Sequence, residues 1–164
     1  MGFSLSAVLC GQILAKYGKL SNMKTKKPIL CSACLLGVNC RYNGKTKTND
    51  KVLALAKTEV LIPVCPEILA GFPTPRGPVE IVKGRATQKD GQDVSKKFRE
   101  GAKEVLKIAK LMNVEKAILK ERSPSCGKNF VPEGTFSGKV KKGRGFTAAL
   151  LAKNGIEIIS EEEL

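Results

Sequence analysis

The sequence predicts a single three-layer α/β domain with a mainly parallel, Rossmann-like sheet. Short apolar runs alternate with helical patterns, as βαβ units require, and right-handed crossovers put all strand carboxyl ends on one edge. Three of those runs lead into cysteine-bearing segments rich in Gly and Pro. Parallel α/β sheets gather their chemistry at that edge. At 164 residues the chain has room for one domain with a full core, not two.

Residues 1–27 read as an N-terminal extension ahead of a domain spanning 28–164. The extension carries Cys10 and an apolar stretch, but neither the basic start nor the cleavage site of a signal peptide. Pro28-Ile-Leu-Cys31 then reads as a short buried strand running into a glycine-containing loop. Residues 49–58 place Val52, Leu53, Leu55 and Ala56 in a helical pattern. Residues 60–64 form a second apolar strand that ends at Cys65. Residues 71–78 are a rigid turn-rich loop, because proline fixes φ and glycine relieves it. Residues 79–82 read as a short strand and 89–92 as a turn. Asp93 is the expected N-cap of a helix over 94–112, with Val94, Phe98, Ala102, Val105, Ile108, Ala109 and Met112 on one face. Residues 115–119 are the third main strand, ending just before Arg122-Ser123. A glycine-rich excursion with little regular signal covers 130–142. Residues 145–152 form a helix closed at Asn154-Gly155. A last strand at 156–159 runs into the acidic tail Glu161-Glu-Glu163.

Composition narrows the function classes. The formal charge is +14, but the lysines are spread along the chain. A solvated basic surface is the simpler reading, with nucleic acid a partner that is not favoured. Aromatic residues are scarce and Trp is absent, so stacking platforms for bases are not expected. No apolar run approaches the roughly 20 residues of a membrane span. Six cysteines without a leader point to a reducing cytoplasm rather than a disulfide scaffold. Histidine is absent. That removes Ser-His and Cys-His nucleophile pairs and every His-containing zinc site, and leaves proton transfer to Asp, Glu, Lys, Tyr, Cys, a hydroxyl or water.

The cysteine segments carry the chemistry. Cys31-x-x-Cys34 alone fits a redox pair, half a zinc ribbon or part of an iron–sulfur site. Cys31 lies within the strand-like run and reads as a small buried hydrophobe, with Cys40 and Cys10 as accessory. Cys34, Cys65 and Cys126 each follow a different strand. Three thiolates leave one coordination position open, which makes a catalytic site with zinc and a substrate-binding iron in a cubane cluster. Glu67 and Ser123 are the best-placed groups for proton transfer and hydrogen bonding there. Their structural readings are a helix-start charge for Glu67 and turn stabilisation for Ser123 and Ser125. Arg76 is a further candidate for contacting a substrate, and Ser125 an alternative to Ser123.

The motifs Ser32-Ala-Cys-Leu-Leu-Gly-Val-Asn-Cys-Arg-Tyr-Asn-Gly44, Cys65-Pro-Glu67, Pro73-Thr-Pro-Arg-Gly-Pro-Val-Glu-Ile81, Gly91-Gln-Asp-Val-Ser95, Ser123-Pro-Ser-Cys-Gly127 and Gly145-Phe-Thr-Ala-Ala-Leu150 follow one another in order. On these residues the chain resembles the DUF523 family, whose characterised branch is the thiouracil desulfidases. The resemblance runs from Ile29 to Glu161. It implies a [4Fe-4S] cluster held by Cys34, Cys65 and Cys126, with one open iron. It also implies a non-redox exchange of substrate sulfur for oxygen from water on a small thiolated base such as 2-thiouracil, with Glu67 and Ser123 at the positions implicated in catalysis. Residues 1–27 depart from the family pattern. The charge and the cysteines leave two other readings: an RNA-binding or tRNA-modification accessory protein, and a zinc-binding structural protein.

Overall fold

A computed structural model describes residues 26–164. The expected extension and Cys10 lie almost entirely outside these residues. Four strands form a parallel sheet: β1 (Ile29–Ser32), β2 (Leu61–Val64), β5 (Lys116–Leu119) and β8 (Glu157–Ser160), in the order β2-β1-β5-β8. Register pairs Cys31 with Pro63 on one side and with Ile118 on the other. The chain moves outward from β1 to β2, then returns to the opposite side of β1 for β5. The switch point of the sheet therefore lies between β1 and β5, where open α/β sheets leave a crevice beyond the strand ends.

Alternation along the strands fills both faces. Leu30, Val64, Ala117, Leu119 and Ile158 face one way, against α3 (Ser95–Leu111) and α4 (Phe146–Lys153) through Val105, Ala109, Ala148 and Leu151. Cys31 and Ile118 face the other way, toward Leu35 and Val52 of α1 (Asp50–Leu55). Helices thus cover both faces of the sheet, as the sequence predicts. Asn49 caps α1 by accepting from the amides of Lys51 and Val52. The N-cap of α3 is Val94 rather than Asp93, although the Asp93 carboxylate still accepts from the Ser95 amide at 2.8 Å. Met112 at the other end of the helix is half-exposed.

The short helix α2 (Pro66–Leu69) packs on α3 at Gly101. A Cβ at that position would lie 2.1 Å from the Pro66 carbonyl oxygen, so glycine sets how closely Glu67 is carried against the body of the domain.

Two small antiparallel hairpins complete the fold; the strand at 79–82 lies where the sequence predicts it, whereas its partner and the second hairpin have no clear sequence signal. β3 (Val79–Val82) pairs with β4 (Arg85–Gln88), and β6 (Phe130–Pro132) with β7 (Val140–Lys142), inside the stretch read as an irregular excursion. The second hairpin is held by long-range contacts. The buried Glu80 carboxylate accepts from the amides of Gly134 and Phe136 at 2.8 and 2.9 Å, and Lys141 donates to the carbonyl of Ile81.

Candidate active site

Three strand ends meet at one cavity of about 300 Å³. β1 runs into a 3-10 turn, Ala33–Leu36, that presents Cys34; the Cys34 carbonyl accepts from the amides of Gly37 and Lys47. β2 ends at Cys65, which is extended and stands as the N-cap of α2, with Pro66 at the first helical position and Glu67 in the first turn. β5 leads into the 120–129 loop with Ser123 and Cys126. The Lys120 amide donates to the Ser32 hydroxyl at 3.0 Å, which ties this loop to the end of β1. Cys34, Cys65, Cys126, Glu67, Ser123 and Arg76 all line the cavity; Ser125 and Cys31 do not.

Cys40, read from the sequence as accessory, is also on the cavity wall. Its thiol lies within reach of both Cys34 and Cys65, and its carbonyl accepts from the Cys65 thiol and from Arg76. Contact with Cys34 and burial push the Cys40 thiol up to about 11. Contact with Cys40, then burial, push the Cys65 thiol up. Burial does the same for Cys126, against the opposing hydroxyls of Ser32 and Ser123. Such thiols hold their protons at neutral pH and are poor nucleophiles in the ligand-free chain. Cys31 is fully buried, and burial, with Glu161 nearby, pushes its thiol up to about 12. That is not the environment of a reactive CxxC pair.

Glu67 sits in a directed network. Arg76 Nε donates to Glu67 Oε2 at 2.8 Å, and Arg76 Nη2 is also 2.8 Å from the same oxygen. The other Arg76 contacts are from Nη1 to the Pro73 carbonyl and the Thr74 hydroxyl, and from Nη2 to the Cys40 carbonyl. Every guanidinium nitrogen is therefore engaged with the protein, and the side chains of Arg76 and Glu67 are only 5% and 14% exposed. Arg76 orients Glu67 and leaves Oε1 facing other partners. One of these is the Ser125 hydroxyl, which donates to Oε1 at 3.4 Å. Ser123 Oγ instead accepts from the amides of Ser125 and Cys126, at 3.2 and 3.1 Å.

Removing one partner of a buried pair strands the other. Arg76→Ala is therefore expected to cost about 3 kcal/mol, a fall of about 6–12 °C in Tm. Arg76→Lys, which keeps the charge without the planar fork, should lose a smaller part of it. Thermal unfolding followed by circular dichroism checks both, and a Tm within about 2 °C of wild type in Arg76→Ala would contradict the ion-pair assignment.

Side chains that the sequence reading passed over also line the cavity: Glu80, Lys120 and Glu121. Glu121 lies two residues beyond β5, after Lys120, and its burial at 2% exposure has no local signal. Among the described residues no three Cys, Asp or Glu side chains gather tightly enough to chelate a single ion. No helix among them is long and apolar enough to cross a membrane.

The fold and site define a class: a parallel α/β domain with soft sulfur donors, a paired carboxylate and a hydroxyl around a cavity at the switch point of its sheet. Residues 29–163 match the family model of 2-thiouracil desulfurase, and the chain belongs to that family. It is 44% identical over 146 residues to YbbK of Bacillus subtilis (strain 168), an alignment covering 83% of this chain and 97% of that protein. Among solved structures it is similar to the [4Fe-4S]-dependent thiouracil desulfidase TudS (DUF523Vcz), with a TM-score of 0.80 and 38% identity. That likeness covers 85% of this chain and 93% of the other. The family and the solved neighbour are both named for one enzymatic activity.

Proposed function

We propose that this chain is a desulfidase that replaces the sulfur of a small thiolated base, such as 2-thiouracil, with oxygen from water. The observation that carries this reading is the meeting of three strand-end cysteines with Glu67 and Ser123 around one cavity. The donor set suits an iron–sulfur cluster better than zinc. The sulfur donors on the cavity wall are all thiols, and histidine, which supplies so many zinc sites, is absent. Cys34, Cys65 and Cys126 would hold a [4Fe-4S] cluster, leaving Cys40 beside it on the loop. When bound, such a cluster supplies a Lewis-acidic, sulfur-seeking iron.

The chain's own residues then have defined work. Glu67 Oε1 accepts a proton from the water that attacks the thiocarbonyl carbon, while Arg76 keeps Oε2 occupied and the carboxylate aligned. The C–S bond breaks as the new C–O bond becomes a carbonyl, so thiocarbonyl and water yield carbonyl and hydrogen sulfide without net redox change. Ser123, on the cavity wall beside Cys126, orients the base or relays the proton to the departing sulfur. Ser125 supports Glu67 from behind the wall. The working unit is residues 28–164, with 1–27 an extension outside it, and its setting is the cytoplasm.

Anaerobic reconstitution of the full chain with iron and sulfide, followed by a sulfide-release assay over thiolated bases and nucleosides, tests the reading. Wild type is expected to gain broad visible absorbance and to release sulfide in step with loss of the thiocarbonyl chromophore. Cys34→Ala, Cys65→Ala and Cys126→Ala should each lose most of the iron, whereas Cys31→Ala should keep it. A reconstituted chain that holds iron yet releases no sulfide from any thiolated base would overturn the proposal.

A further inference from the structure

The loop that delivers Ser123 and Cys126 has no regular structure of its own, and Arg122 within it has φ +56°, a left-handed conformation for a non-glycine residue. Backbone of this kind persists where its surroundings over-determine it. Four carboxylates do so. Glu121 Oε1 accepts from the amides of Arg122, Asn129 and Phe130 at 3.4, 3.0 and 2.9 Å, joining both ends of the loop at one atom. The other three are consecutive. Glu161, itself buried, pairs with the Lys120 ammonium and accepts from the Glu121 amide at 2.6 Å. Glu162 takes Arg122 Nη2 at 2.9 Å. Glu163 takes Lys128 Nζ at 2.7 and 2.6 Å, and Asn129 Nδ2 at 3.3 Å.

The three residues thus meet the loop in order, at its root, its turn and its far end. A capping box holds them in that order: Ser160 Oγ accepts from the Glu162 amide, and Glu163 Oε2 from the Ser160 amide at 3.1 Å. Burial works against ionisation of Glu121, but the amides of Phe130 and Asn129 more than offset it and hold its carboxyl below the usual range; Lys128 does the same for Glu163. None of residues 161–163 lines the cavity, so none contacts a ligand there.

We propose that Glu161 and Glu163, with Glu121 behind them, are positioning residues that clasp the loop bearing Ser123 and Cys126 in its working shape. The assignment of Ser123 and Cys126 to the site rests on the function proposed above; the clasp itself rests on the contacts just given.

Amide hydrogen exchange on the ligand-free full chain tests it directly. In Glu163→Ala, a change at the surface, amides of 121–130 should exchange about tenfold faster while those of β1 and β2 stay within about twofold of wild type. Glu163→Asp should recover part of the protection. Glu161→Gln keeps an acceptor for the Glu121 amide but loses the pairing with Lys120, and it should loosen the same segment. Unchanged exchange at 121–130, or acceleration spread evenly through the sheet, overturns the clasp, and Glu163→Ala decides alone if Glu161→Gln does not fold. In the reconstituted protein the same variants should lower kcat for sulfide release with KM near wild type. Absence of sulfide release from wild type would count against the desulfidase reading and leave the exchange result standing.

Discussion

Glu67→Gln is expected to keep its iron and lose its chemistry. The amide has the shape of the carboxylate: its carbonyl oxygen can still accept from Arg76 while its NH2 donates to the Ser125 hydroxyl, so the cavity wall stays in place. What it cannot do is take a proton from water. A positioned general base contributes roughly 10²–10⁴-fold, and kcat should fall by about that factor. Visible absorbance and iron per chain should match wild type, because Glu67 is not among the proposed ligands. Some stability goes too, since Arg76 would be left buried without a counter-charge, so the assay belongs at a temperature where circular dichroism shows both proteins folded. Ser125→Ala, which removes only one long hydrogen bond to Oε1, should cost far less. Full turnover by a folded, iron-loaded Glu67→Gln would remove Glu67 from the chemistry and return it to the role of a helix-start charge. Loss of iron along with activity would make it a structural residue of the cluster pocket.

The strand ends were legible because each is written locally. An apolar run of four residues stops at a segment with cysteine and Gly or Pro, three times over, and the parallel topology does the rest. Gathering Cys34, Cys65 and Cys126 thus needed no information about distant contacts. The parts that escaped depend on such contacts. β6 and β7 are three residues each, too short for alternation to show, and their seat is the Glu80 carboxylate more than fifty positions earlier. β4 is polar and reads as loop until its pairing with β3 is seen. Glu121 and the 161–163 run look like solvated charge in the sequence, because burial of a carboxylate is decided by the amides and cations that fold against it. Cys40 follows a turn rather than a strand and so reads as accessory, yet the arc of residues 37–47 brings its thiol back to Cys34 and Cys65. Local pattern thus showed which residues face the cavity edge; what holds them there is tertiary.

Gly145→Ala is expected to damage the fold and the proposed cluster site together. Gly145 stands at the N-cap of α4, and a Cβ there would lie 2.5 Å from both the carbonyl carbon and oxygen of Ser125 and 2.8 Å from the Cys126 amide nitrogen. These are backbone atoms of the loop that carries Cys126, so no side-chain rotation relieves the clash. Either the loop or the helix must retreat. The two are laced together by the Gly145 amide to the Gly127 carbonyl at 2.8 Å, Phe146 to Pro124 at 3.0 Å and Thr147 to Ser125 at 2.8 Å, which satisfy the otherwise orphaned first-turn amides of α4. Overpacking costs about 1–3 kcal/mol, and loss of two of these three hydrogen bonds adds about 2, giving about 3–5 kcal/mol and a fall of about 6–20 °C in Tm. The displacement reaches Cys126 directly, so iron retention after reconstitution should fall with the melting temperature. A Gly145→Ala chain that melts within about 2 °C of wild type and loads iron normally would show that α4 and the loop are free to part, and that close backbone approach is not what sets the position of Cys126.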